Sequence, residues 1–259
     1  MIPANTLEDV VTILQGIIEE CKAEKSRLGY FAALYLKVTI NVRDGIAAGT
    51  FPNGDQLAKL DVAFANRYLD AYYKRKKGEQ PTASWAVAFE QAERSSVLVL
   101  QHLLLGINAH INFDLGIAAA DVCGDQPLTI LKKNFDAINM VIGALTNQVL
   151  NELGQISPLL SLLGMHASNS NFALIQFSIE NARDGAWRFA EDLLETGADR
   201  EKLIADRDVT IKKLAESLVL TKGFVSFTIW VIHLFESHNV KKVITILNEY
   251  QKKKIAINK

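Results

Sequence analysis

The segment from Gln101 to Leu115, QHLLLGINAHINFDL, places two histidines, two asparagines and one aspartate in an otherwise apolar run of helical length. A buried imidazole, amide or carboxyl group costs free energy unless it is hydrogen-bonded, paired or bound to a metal. A helix with this composition must be enclosed by other parts of the chain that supply polar partners on more than one side. The segment therefore predicts a central helix that carries a polar site.

Helical periodicity runs through nearly the whole chain, and no stretch shows the strict alternation that is typical of a strand. The sequence predicts an all-α protein, a compact multi-helix bundle of about nine to eleven helices with no sheet. Short connections favour a single domain over residues 1–259, with a subdivision near 154–171 as the alternative. The predicted helices cover roughly 6–25, 28–48, 55–77, a short helix from 82 or 84 that carries Trp85 and Phe89, 96–122, 127–153, 172–195, 199–220, 223–235, and a last helix that Asn239 caps.

The charge balance of the chain excludes one class of partner. With 28 basic and 29 acidic residues the formal net charge is -1, so there is no global basic field for nucleic acid or an anionic membrane. Cys21 and Cys123 form neither a disulfide framework nor a C-x-x-C pair, and the N-terminus lacks the pattern of a secretory signal. We therefore expect a cytoplasmic protein that binds neither nucleic acid nor membrane.

Neither of the two long apolar stretches is predicted to span a membrane. One is interrupted by His102, His110 and Asp114, and the other, 223–234, is too short. The segment 223–235, with Trp230, fits either a core helix or the contact face of a homo-oligomer, and periodicity does not distinguish the two.

His110 and Asp114 are adjacent on one helical face, because four residues correspond to about one turn. This H-x-x-x-D spacing lets an imidazole and a carboxylate approach one divalent ion from the same side. His102 lies further along that face, and Gly106 between the histidines leaves room for an ion, a water molecule or the backbone of another helix. A zinc site requires three or four ligands, and Asp61, within apolar surroundings, is the candidate third ligand or the partner of a buried arginine.

Other polar residues extend the list of candidates. Asn108 and Asn112 form a second pair on nearly the opposite face of the central helix, where amides commonly bind neighbouring backbone. Arg183 and Trp187 are spaced for a guanidinium to lie against an indole. Arg183 could bind a carboxylate or phosphate, and a buried pair with Asp61 or Asp114 is an equally good interpretation.

Four segments in this order resemble an uncharacterised bacterial family, a domain of unknown function whose helix reads G-[IM]-N-A-H-I-N-x-D-L: VTINVRDGI, LDVAFANRYLDAY, GINAHINFDLGIA and NARDGAWRFAEDL. The resemblance covers most of residues 1–200 and implies an all-helical cytoplasmic protein without an established activity. The positions to which it points are Asp61, Asn66, His110, Asn112, Asp114, Arg183 and Trp187. A more distant similarity is to the zinc-dependent phospholipase C and nuclease proteins, of whose H-x-x-x-D and H-x-x-x-E pairs only His110 and Asp114 match.

These observations predict a polar pocket where the third, fifth and seventh long helices meet, lined by Asp61, Asn66, His110, Asp114 and Arg183. In one hypothesis the protein is a metal-dependent hydrolase, with a phosphoester as candidate substrate. Its metal ligands, for one divalent ion such as zinc, would be His110, Asp114 and Asp61; its catalytic residues would be Arg183, Asn66 and His102.

In the other hypothesis the protein is not a catalyst. It binds a small-molecule ligand or a partner, and the same polar side chains form a hydrogen-bonded network inside the helical bundle.

Overall fold

The computed structural model describes residues 3–124, 126–166, 178–195, 197 and 199–249, without the side chains of residues 165 and 166. Within these ranges the chain forms α-helices and one short 3-10 helix, and no strand. The prediction of an all-α fold is confirmed. The α-helices are α1 (Leu7–Glu24), α2 (Leu28–Ala47), α3 (Gly54–Lys76), α4 (Ala83–Ala92), α5 (Val99–Cys123), α6 (Thr129–Ile156), α7 (Ile179–Leu194), α8 (Arg200–Val219), α9 (Gly223–Phe235) and α10 (Val240–Asn248).

Helix starts follow the capping residues that the sequence predicts. At the start of α1, the Asp9 amide donates to the Thr6 hydroxyl at 3.1 Å and the Thr6 amide donates to the Asp9 carboxylate at 3.0 Å. This reciprocal pair satisfies two amides that a helix end leaves without partners. Asp199 and Asn239 cap α8 and α10 without the reciprocal bond, each through a side-chain oxygen that accepts from a backbone amide three residues later. Local sequence therefore fixes where these helices begin.

The segment between α6 and α7 is the part of the fold that the structure describes least. A 3-10 helix spans Leu160–His166, where the sequence indicates a short apolar piece, and α7 begins at Ile179. The first residues of the predicted helix 172–195 lie outside the described residues. The division of the chain into domains stays a prediction.

Helix α5 lies at the centre of the bundle. Helices α2, α4, α7 and α8 all contact it. It is the one single helix among the described residues that is long and apolar enough to cross a membrane, and 83% of its most apolar window is buried inside the protein, as in a core helix. Near its start, the buried side chain of Gln101 is paired at both of its polar atoms: it accepts from the Leu98 amide at 3.0 Å and donates to the Leu218 carbonyl at 2.9 Å.

The middle of α5 departs from regular α-helical geometry. Asn108–Asp114 form a π-helical turn, in which the Leu115 amide bonds to the carbonyl of His110 five residues earlier. The sequence predicts an unbroken α-helix here, because periodicity does not report a single widened turn. Such turns occur in proteins mostly as local insertions and often at functional sites. The widened turn contains both His110 and Asp114.

Two glycines let other elements approach α5 closely. A Cβ added at Gly106 would collide with the ring of Phe31, and one at Gly116 would lie 2.7 Å from the carbonyl oxygen of Ala186. The space at Gly106 therefore takes an aromatic side chain of α2, instead of the ion, water or backbone that the sequence suggests. At Gly116 the close neighbour is the backbone of α7.

We expect Gly106→Ala to destabilise the protein by about 1–3 kcal/mol, because the added methyl group overpacks the contact with Phe31. The matched control is Gly16→Ala in α1, where no atom lies within 4 Å of the added Cβ. That change should be neutral or stabilise by up to about 1 kcal/mol, since alanine is the better helix former. Urea denaturation of both variants measures the difference, and equal stability of the two would contradict the tight packing of Phe31 on α5.

Candidate functional site

His110 is enclosed by aromatic side chains. The Phe64 ring stacks on its imidazole with 3.5 Å between centroids and 6° between planes, and the Tyr35 ring meets it edge-on at 4.5 Å. Burial lowers the pKa of His110, and the nearby Asp114 carboxylate opposes this effect. The imidazole is therefore neutral at neutral pH. Its Nδ1 lies 3.5 Å from the Asp114 carboxylate, which favours the proton on Nδ1 and leaves a lone pair on the buried Nε2.

Asp114 is held by donors from two other helices. Its Oδ1 accepts from Arg67 Nε of α3 at 2.9 Å, and its Oδ2 accepts from Trp85 Nε1 of α4 at 2.8 Å. The carboxylate is 1% exposed, so these bonds offset the cost of removing a charge from water. The side chain thereby links α3, α4 and α5 at one point.

A cavity of about 250 Å³ adjoins His110 on the side of α2, α3, α6 and α7. Its wall is almost entirely aliphatic and aromatic, and Leu150, which is 56% exposed, marks a part of the wall that reaches solvent. The titratable side chains in this wall are Tyr35, Asp61, His110 and Arg183. Of the five residues predicted to line a pocket, Asp61, His110 and Arg183 lie in the wall of this cavity, and Asn66 and Asp114 do not.

Asp61 meets the cavity without a hydrogen-bond partner among the described residues for its buried Oδ2. Burial raises the pKa of Asp61 to about 7, and the positive charge of Arg183 opposes the rise. The carboxyl group is therefore divided between its neutral and charged forms near neutral pH. Its neutral form carries a proton that it can donate to a ligand.

Arg183 is a buried guanidinium at the cavity wall. It donates through Nη2 to the Phe135 carbonyl and lies over the Phe135 ring at 4.3 Å, while its Nε has no partner among the described residues. Burial lowers its pKa to about 10, so it stays charged at neutral pH. The expected stacking of Arg183 on Trp187 is wrong: Trp187 faces the ammonium of Lys132 instead, at 5.3 Å.

Two predicted catalytic residues lie away from this cavity. Both ends of the Asn66 amide bond to the backbone of Ala4, at 2.8 and 2.9 Å, so the side chain anchors the N-terminal segment. His102 lies on the far side of Phe31, beside the Tyr30 ring at 5.6 Å, and burial lowers its pKa to about 3. The structure brings neither side chain to Asp61 and Arg183.

The geometry gives the predicted metal site no support. No group of three or more His, Cys, Asp and Glu side chains within the described ranges is arranged to hold a metal ion. Both oxygens of Asp114 already accept hydrogen bonds, and Asp114 is not in the cavity wall that contains Asp61. The ligand set of Asp61, His110 and Asp114 therefore stays a prediction.

The Asn108 and Asn112 pair has the structural role that the sequence favours. Asn112 Nδ2 donates to Asn108 Oδ1 at 3.0 Å, and Asn108 Nδ2 donates to the carbonyl of Ile211 in α8 at 3.0 Å. Arg207, also in α8, donates to the Asn112 carbonyl at 2.9 Å. This face of the widened turn holds α8 against α5.

Three important side chains were not selected from the sequence: Tyr35, Arg67 and Trp85. In the sequence, Tyr35 is indistinguishable from the other apolar core residues of its helix. Arg67 stands beside Asn66 in the segment LDVAFANRYLDAY, where a single arginine among apolar residues could have suggested a buried partner. Trp85 gives no signal, because its indole donor finds Asp114 only through tertiary packing.

The fold and the site define a class: an all-α protein whose central helix carries a buried polar centre beside an apolar cavity. The chain belongs to DUF5995, a family of unknown function whose model matches residues 7–221. Neither a search of curated proteins nor a search of solved structures finds a match. The family membership agrees with the resemblance of the four sequence segments and carries no activity with it.

We expect Asp114→Asn to destabilise the fold by about 1–3 kcal/mol, because the amide cannot accept from both Arg67 and Trp85 and leaves a buried group without its partner. Asp70→Asn, on the exposed face of α3 next to Arg67, removes only a surface ion pair with Lys74 and should change stability by about 0.5 kcal/mol or less. Chemical denaturation of both variants tests this difference. An Asp114→Asn protein as stable as the control would show that Asp114 does not organise the centre.

Asp61 should make stability depend on pH. Its pKa is about 7 when folded and 3.8 when free in water, so between these values the unfolded chain releases a proton that the folded chain keeps. The contribution of Asp61 to the free energy of unfolding is therefore largest below pH 4. It falls by up to about 4 kcal/mol as the pH rises to 7. Asp61→Asn removes this dependence. We expect the difference in unfolding free energy between Asp61→Asn and the parent to grow in favour of the variant between pH 4 and 7.5, whereas parallel pH profiles would refute a buried carboxyl.

Proposed function

We propose that the protein binds a small apolar molecule with an anionic head group, of which a medium-chain carboxylic acid is the simplest example. The single observation that carries the proposal is Arg183. A guanidinium that is 3% exposed forms no ion pair with a described residue, although it lies in the wall of an apolar cavity. Asp136, Asp184 and Asp61 are near enough for their charges to raise the pKa of Arg183, but none of them forms an ion pair with it. An anionic ligand would supply a direct counter-charge.

The size of the cavity limits the ligand. A volume of about 250 Å³, set against a cavity of about 150 Å³ that accepts benzene, admits on the order of ten non-hydrogen atoms. The lining of leucine, isoleucine, valine and phenylalanine favours a hydrocarbon chain or ring. Octanoate, with ten non-hydrogen atoms, has the expected size and polarity.

The polar wall suits a carboxylate head. Arg183 Nε, the Tyr35 hydroxyl and the neutral form of Asp61 are three donors whose buried atoms have no partner among the described residues. Asp61 and Arg183 are near enough for the charge on each to affect the pKa of the other. The lone pair on His110 Nε2 adds an acceptor, so a protonated acid or a hydroxyl group would also find a partner.

The hydrolase hypothesis has less support. A metal-dependent mechanism needs at least three ligands, and Asp114 is committed to Arg67 and Trp85. Metal analysis of the purified protein separates the two functions. Metal at one equivalent per chain that is lost in His110→Ala would overturn the ligand-binding proposal in favour of the metal site.

Isothermal titration calorimetry with octanoate and with octanol tests the binding proposal. We expect Arg183→Gln to weaken octanoate binding by about 10- to 100-fold, the effect of losing a charged hydrogen bond, and to change octanol binding much less. Arg188→Gln, on the exposed face of the same helix, is the matched control and should bind both compounds as the parent does.

A second pair of variants locates the binding site. Ile142→Phe fills part of the cavity and should weaken both compounds, whereas Ile130→Phe, 36% exposed on the same helix, should not. Thermal unfolding without ligand establishes that each variant is folded. Octanoate binding that is absent from the folded parent, or equal in Ile142→Phe and Ile130→Phe, would refute this site.

A further inference from the structure

The imidazole of His110 has one nitrogen with a partner and one without. Its Nδ1 faces the Asp114 carboxylate at 3.5 Å, whereas its buried Nε2 has no hydrogen-bond partner among the described residues. A proton on Nδ1 suits this arrangement, because the opposite tautomer would place a lone pair against the carboxylate oxygen. Nε2 then carries a lone pair and can only accept a hydrogen bond. A buried acceptor in this state lacks the donor that buried polar atoms normally have.

The free nitrogen of His110 belongs to the side of the ring that meets the cavity. His110 is in the cavity wall and Asp114 is not, so the edge of the ring that turns away from Asp114 is the edge nearest the cavity. The Tyr35 hydroxyl, in the same wall, is also buried without a partner in the described part of the chain, and the two atoms therefore do not pair with each other. A ligand in the cavity is the group that can reach both.

A carboxylate head group alone leaves His110 Nε2 without a partner. The oxygens of a carboxylate accept hydrogen bonds and donate none. They suit Arg183 Nε and the neutral form of Asp61, which are donors, but they offer nothing to a lone pair. His110 nevertheless lies near the head-group end of the cavity: it stacks on Phe64, and Asp61 is one helical turn before Phe64, a spacing at which side chains are neighbours about 5–6 Å apart.

We propose that the ligand of this cavity carries a hydroxyl group, a few carbons from its carboxylate, that donates to His110 Nε2. This rests on the proposed function, the binding of an anionic apolar molecule, and makes His110 the residue that selects among such molecules. The hydroxyl oxygen can in turn accept from the Tyr35 hydroxyl.

The sign of the hydroxyl's effect on affinity distinguishes this site from a plain apolar cavity. A hydroxyl that is buried without a partner weakens binding, because it loses its hydrogen bonds to water. A hydroxyl that pairs with an otherwise unsatisfied acceptor strengthens binding, and a site built for it discriminates against the analogue that lacks it. A hydroxy acid should therefore bind more tightly than the unsubstituted acid of the same length.

Isothermal titration calorimetry of the full chain with octanoate, 3-hydroxyoctanoate and 5-hydroxyoctanoate tests the proposal. At least one hydroxy acid should bind about tenfold or more tightly than octanoate. His110→Phe keeps a ring against Phe64 but has no lone pair, so it should lose this preference and bind octanoate about as the parent does. His102→Phe, at the other buried histidine of α5 and outside the cavity wall, is the matched control and should keep the preference. Thermal unfolding without ligand establishes that both variants are folded.

The outcomes separate the hydroxyl group from the proposed function. Octanoate that binds the parent as tightly as both hydroxy acids, or more tightly, would overturn the role of His110 and leave the binding of an anionic apolar molecule in place. An absence of binding for all three compounds would overturn both.

Nitrogen-15 NMR of the histidine side chains tests the same proposal on the unmutated chain. The free protein should show the His110 proton on Nδ1, and the Nε2 resonance should shift when the tighter hydroxy acid binds and stay nearly unchanged with octanoate. A proton on Nε2 in the free protein would overturn the proposal, because that nitrogen could then not accept from a ligand hydroxyl.

Discussion

A buried carboxylate organises the centre of this protein. Asp114 lies inside an aromatic core, where an unpaired charge would cost several kcal/mol even after relaxation. It is tolerated because Arg67 and Trp85 approach from two different helices and donate to its two oxygens. Two donors with fixed directions set the positions of α3 and α4 relative to α5 more sharply than apolar contact does. Hydrophobic burial makes the bundle favourable, and Asp114 selects one arrangement of these three helices.

Burial in the aromatic core and the neighbouring Asp114 also determine the protonation state of His110. Its imidazole is stacked on Phe64 and surrounded by other rings, so the charged form is strongly disfavoured. The nearby Asp114 carboxylate gives the Nδ1 proton a direction, and the ring is held with its other nitrogen unpaired. The widened turn of α5 keeps both residues on the buried side, although it changes the spacing that a regular helix would give.

Local features of the structure could be predicted from the sequence, and features that depend on packing could not. The Thr6 cap needs only Asp9 three residues later, and the Asn108 and Asn112 pair needs only one helical turn, so the sequence specifies both. His102 and His110 look equivalent along the helix, but Phe31 fills the space at Gly106 and separates them. Which histidine meets the cavity depends on the ring from α2, and the sequence of α5 contains no information about it.

The resemblance of four segments to a family predicted the fold and pointed to Asp61, His110 and Arg183, which the structure brings to one cavity. It also pointed to Asn66, whose amide is used by the backbone of Ala4. A motif therefore identifies residues that matter to the fold or the site without distinguishing the two. The distinction comes from hydrogen bonds: the partly buried Asn66 amide uses one acceptor and one donor to hold Ala4, and it does not line the cavity that contains Asp61 and Arg183.

The polar groups at the centre divide into two sets with different consequences. Asp114 is neutralised by Arg67 on the side away from the cavity. Around the cavity, His110 is neutral, Asp61 is partly neutral and Arg183 keeps its charge, so the wall of the cavity has a positive balance near pH 7. A positive wall in an apolar cavity repels a divalent cation and attracts an anion. Arg183 and His110 each have one partner in the protein, the Phe135 carbonyl and Asp114, but Arg183 Nε, Asp61 Oδ2 and His110 Nε2 have none among the described residues. The proposed binding of a ligand with a negative head and an apolar body would give these unpartnered groups a counter-charge and hydrogen bonds.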